Sequence, residues 1–63
     1  MTVEFTAQDK FECVEREIKQ RQHVYPRRIA DGKMTADFAR RQIELMEAIA
    51  ADYRYQAERE RLL

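Results

Sequence analysis

The sequence predicts an all-α protein: an antiparallel two-helix hairpin, kinked at a proline, that pairs with a second copy into a four-helix arrangement. Three observations predict it. One glycine and one proline stand among 63 residues, 38% of them charged, a composition suited to long solvated helices. Apolar residues recur at helical spacing in two separate stretches. The only glycine, Gly32, falls between those stretches, where a helix can end on a left-handed residue and the chain can turn back.

The first helix is expected over residues 7–31. Thr6 is suited to cap it, and Asp9, three residues on, stands where the reciprocal partner of a capping box belongs. Apolar side chains then fall at Ala7, Phe11, Val14, Ile18, Tyr25 and Ile29. At about 100° per residue these make one narrow stripe, interrupted by Arg21 and Gln22. Glu12 and Arg16, Glu15 and Lys19, and Glu17 and Arg21 are spaced to pair one turn apart with the acid first, each worth a few tenths of a kcal/mol.

Pro26 lies inside this pattern. A proline removes one helical hydrogen bond and disfavours helical backbone at the residue before it, so a helix ending near Val24 is one reading. Ile29 keeps the phase of Tyr25, however, and Gly32 sits where a left-handed residue closes a helix. The expectation is therefore a continuous first helix, kinked at Pro26.

The second helix is expected over residues 36–61, capped by Thr35, with Asp37 suited to the positive end of the helix dipole. Its apolar positions are Phe38, Ala39, Ile43, Leu45, Met46, Ile49, Ala50, Tyr53 and Ala57. They span roughly 160° of the helix, wider than one partner helix covers. Folded about residue 32, the two stripes bring Tyr25 to Ala39, Ile18 to Met46, Val14 to Ala50, Phe11 to Tyr53 and Ala7 to Ala57. Every pair is apolar. A lone core in so short a chain supplies on the order of 3–5 kcal/mol, so Phe38, Ile43, Leu45, Met46, Ile49 and Tyr53 are expected to serve both the hairpin core and a homodimer centred on the second helix.

Composition also narrows the chemistry. Cys13 is the only cysteine and His23 the only histidine, so an intrachain disulfide and a Cys/His zinc site are both excluded. Cys13 lies off the stripe, with Asp9, Lys10, Glu12 and Glu17 among its neighbours on the helix, a poor setting for an activated thiol. His23 lies beside Lys19 and Arg27 and reads as a solvated surface residue. No glycine-rich phosphate loop and no nucleophile with a base are present, so neither an enzyme nor a bound cofactor or metal is expected. No apolar run approaches the roughly 20 residues that cross a bilayer, and the acidic start of the chain does not resemble a signal peptide. A single cytoplasmic domain over residues 1–63 is expected.

Twelve basic and twelve acidic side chains cancel, yet they are not evenly placed. From Lys19 to Arg41 seven positive side chains stand against Asp31 and Asp37, while both flanking segments are net negative. The hairpin therefore has a basic tip, with Arg27, Arg28, Lys33, Arg40 and Arg41 as candidate partner-binding residues, and an acidic open end. Three readings stand for the tip: a solvated helix end, a contact to an acidic protein, or a contact to nucleic-acid phosphates. Tyr55, off the second stripe, is a candidate contact residue; Tyr53 is expected in the core with its hydroxyl at the rim.

Residues 12–53 carry an acid before a cysteine (Glu12, Cys13), an R-E-I step, V-Y-P-R, G-K-M-T, and an I-x-x-M-x-A-I helix ending at D-Y. In this combination the chain resembles a group of short helical proteins encoded by tailed phages and prophages. The chain departs from the group at "YPRRI", where relatives often carry an aromatic after the arginine. The resemblance implies a phage context and assigns no catalytic residue. Together with the patterning it leads to an expected non-enzymatic protein-interaction module, an adaptor or inhibitor of a host or phage protein. The alternative is an accessory nucleic-acid-binding protein that uses the basic tip.

Overall fold

The computed structural model describes residues 4–62. It is a helical hairpin of α1 (Ala7–Ala30) and α2 (Ala36–Leu62), with no strand among the described residues. The molecule measures 47 × 26 × 15 Å.

Both helix starts form as the sequence predicts. Thr6 Oγ1 accepts from the Asp9 amide at 3.0 Å, and Asp9 Oδ2 accepts from the Thr6 amide at 3.2 Å, completing a reciprocal capping box. Two of the amides that a helix start leaves unpaired are satisfied this way. At α2 the Thr35 hydroxyl accepts from the Phe38 amide at 3.1 Å.

The tip is built by Gly32. Its φ of 74° is the only positive value among the described residues, and it terminates α1 in a Schellman motif: the Lys33 amide donates to the Arg28 carbonyl at 2.9 Å, and Gly32 to Ile29 at 3.0 Å. Asp31, expected as the last helical residue, is instead the C-cap. Helix α1 runs through Pro26 without a break. The half-buried Tyr25 and Ile29 lie on the same side of the helix before and after the proline, so packing against α2 holds both turns in phase.

The seam between the helices is narrow. Its buried residues are Ala7, Ile18, Ala39, Ala50 and Ala57, four alanines and one isoleucine. Phe11, Val14, Tyr25, Ile29, Ile43, Met46 and Tyr53 are half-buried around them. Alanines at spacings of seven and eleven along α2 allow a close approach but bury little area per residue. Among the described residues no large side chain is fully buried.

At the open end Glu60 Oε2 accepts from the Ala7 amide at 3.3 Å. A carboxylate from the far end of α2 thus meets the positive N-terminus of α1, a favourable placement for both. Of the three expected ion pairs on α1, only Glu17–Arg21 closes, at 2.6 Å. Glu12–Arg16 and Glu15–Lys19 do not come within 4.0 Å, as expected where the gain barely offsets the entropy of two long exposed side chains.

Candidate functional site

Two surfaces stand out: the basic tip and an apolar face of α2. At the tip, Arg27, Arg28, Lys33, Arg40 and Arg41 are all exposed. They do not share one face. At about 100° per residue, Arg28 lies beside the seam and Arg27 on the outer side of α1. Arg40 and Arg41 point in different directions from α2. The positive charge therefore surrounds the end of the hairpin instead of lining a groove. Arg40 is also engaged within its own helix, 3.3 Å from Asp37 and 4.0 Å from Glu44. Arg27, Arg28, Lys33 and Arg41 make no ion pair among the described residues.

The structure divides the wide stripe of α2. Ile43, Met46 and Tyr53 turn toward α1 and are half-buried. Phe38, Leu45 and Ile49 do not: they are 53%, 55% and 37% exposed. On a helix, positions 38, 45 and 49 fall within about 40° of one line, and that line lies about 100° from the seam. Sequence periodicity shows a broad stripe, and only the position of α1 shows which edge it leaves uncovered. Arg41 and Asp52 lie on one flank of the uncovered line, and neither has an ion-pair partner among the described residues.

At the open end, Tyr53 is half-buried with the Lys10 ammonium 5.7 Å from its ring centroid. Tyr55 is 62% exposed and lies under Arg59, 5.8 Å from centroid to guanidinium carbon. A groove of about 700 Å³ is lined by Phe5, Asp9, Lys10, Cys13, Val14 and Tyr53 among others. Cys13 and His23 are exposed. The hydrogen bond to Glu17 pushes the Arg21 guanidinium above its ordinary range, reinforced by Tyr25. No group of three metal-ligating side chains occurs among the described residues, and no helix of these residues is long and apolar enough to cross a membrane.

Comparison of the chain with protein-family models, with curated proteins and with solved structures finds no match.

Proposed function

We propose that this chain is a small, non-enzymatic protein-interaction module of phage or prophage type, which works in the host cytoplasm as a homodimer and binds a protein partner through its basic tip. The observation that carries this reading is the exposure of Phe38, Leu45 and Ile49 beside a seam made mostly of alanine. A helix that leaves Phe38, Leu45 and Ile49 exposed while fully burying only alanines is shaped for a second protein surface. The dimer is a two-fold four-helix arrangement centred on α2, and a bend at Pro26 sets how the tip projects from it.

The tip supplies the second contact. Its net charge is +5 between Lys19 and Arg41, and four of the five candidate tip cations, Arg27, Arg28, Lys33 and Arg41, are free of intrachain ion pairs among the described residues. An acidic protein patch is the best complement, because the acidic open end repels an extended polyanion. The same four cations favour a second reading, accessory binding to nucleic-acid phosphates.

Affinity capture from host lysate, with and without nuclease, separates the two. Recovery of one host or phage protein irrespective of nuclease supports the protein partner. Enrichment that vanishes with nuclease, or sub-micromolar duplex binding near physiological salt, replaces it with the nucleic-acid reading.

A further inference from the structure

From the placement of charge and apolar side chains on α2, we infer that a second copy of this chain covers the Phe38–Leu45–Ile49 face in one antiparallel register, with the two-fold axis level with Glu47, so that Arg41 of each copy meets Asp52 of the other. The inference rests on the homodimer proposed above and specifies its geometry.

The area argues for a partner of this size. The hairpin exposes 5603 Å², whereas a compact chain of 7.6 kDa exposes about 4,300 Å². The excess, about 1,300 Å², is of the order that one subunit gives to a stable interface. The α1 side of the same face carries Lys10, Glu17 and Arg21 beside the half-buried Val14 and the exposed Val24, so α2 supplies most of the apolar contact.

Charge fixes the direction. A parallel pair would set one basic tip against the other and leave Arg41 of one copy and Asp52 of the second on opposite sides of the contact. An antiparallel pair sets each tip against the acidic open end of the second copy. It also brings like flanks together, so Arg41 and Asp52, on one flank of the line, face each other across the two copies. They cannot meet within one chain, because eleven residues of helix separate them by about 16 Å.

The side chains then fix the register. With the axis level with residue 47, Leu45 faces Ile49 of the second copy, Ile49 faces Leu45, and Phe38 lies along the stem of Gln56. Shifted by four residues in one direction, Phe38 would fall on Asp52 and Ile49 on Arg41, burying two charges without partners. Shifted by four in the other, Arg41 would face Ala57 and Phe38 would face Glu60. Of these three registers only the central one sets Arg41 against Asp52 while pairing Leu45 with Ile49. In it Gly32 lies 15 residues from the axis level, so the two tips stand about 45 Å apart at opposite ends. The dimer is therefore bivalent, and its partner binds two tips at once or as two copies.

Sedimentation equilibrium and disulfide trapping test this. The wild-type chain is expected at twice 7.6 kDa at micromolar concentration; a folded monomer there overturns the inference. Arg41→Glu and Asp52→Arg alone should each raise the dimer dissociation constant roughly tenfold, and the two together should restore it. Losses that simply add in the double variant overturn the register. In a Cys13→Ser background, mixed Leu45→Cys and Ile49→Cys chains should form the heterodisulfide in preference to either homodisulfide. Predominant Leu45→Cys homodisulfide instead shows a shifted or parallel pair and also overturns the register. None of these readouts involves the tip partner, so a dimer with no captured protein would remove the partner-binding reading and leave this geometry standing.

Discussion

At Gly32 the backbone sits at φ 74°, and a Cβ added there meets nothing within 4 Å. The cost of substitution is therefore conformational and not steric. Gly32→Ala should lower stability by about 1–2 kcal/mol, the penalty of a left-handed L-residue, with Gly32→Asn costing less because asparagine tolerates that region. Urea midpoints at one fixed protein concentration would rank the three. Thr6→Ala removes the capping box whose two hydrogen bonds are 3.0 and 3.2 Å and should cost about 1 kcal/mol. Glu60→Gln should cost less, because the amide still accepts from Ala7 while the charge at the helix N-terminus is lost. If Glu60→Gln proved as damaging as Thr6→Ala, the charge would matter more than the hydrogen bond.

At the scale of the helices, most of the fold was legible because the signals were local. Thr6 with Asp9, Thr35 and Gly32 mark three helix ends by hydrogen bonds that reach no more than five residues. Pro26 was the ambiguous position, since local propensity and stripe phase disagree there, and packing of Tyr25 and Ile29 against α2 decides for a continuous helix. The same disagreement makes a prediction. Pro26→Ala restores the amide that can donate to the Gln22 carbonyl and removes the ring's clash, so it should stabilise the hairpin by about 1–3 kcal/mol. The measurements are thermal unfolding and the helical circular-dichroism signal. An unchanged or lowered midpoint would mean that the proline serves the geometry of the assembled protein, not merely tolerated within α1. The Glu60–Ala7 contact escaped sequence reading because it spans 53 residues, and no local pattern marks it. Nor could periodicity divide the stripe of α2: Ile43 and Ile49 read alike until α1 is in place.

Over the whole molecule, the neutral total hides a separation of charge along a 47 Å rod. The tip cations were legible as a run in sequence, but their dispersal around the end was not, because it depends on how two helices present Arg27, Arg28 and Arg41. Dispersed cations steer a partner more than they clasp it. Replacing Arg27, Arg28 and Lys33 together by Gln tests this cleanly, since Arg40 is held by Asp37 and Glu44 and Arg41 is left to the proposed dimer flank. The fold should survive, because all three are exposed, and the unfolding midpoint should still rise with protein concentration as a dimer's must. With an acidic protein partner the association rate should fall several-fold and its salt dependence flatten, while the dissociation rate changes little. With duplex DNA, each lost phosphate contact should instead reduce the slope of log affinity against log salt by about 0.9. Unaltered partner binding in the triple variant would show that the tip is only a solvated helix end and would move the search for the contact surface to Tyr55 and the open end.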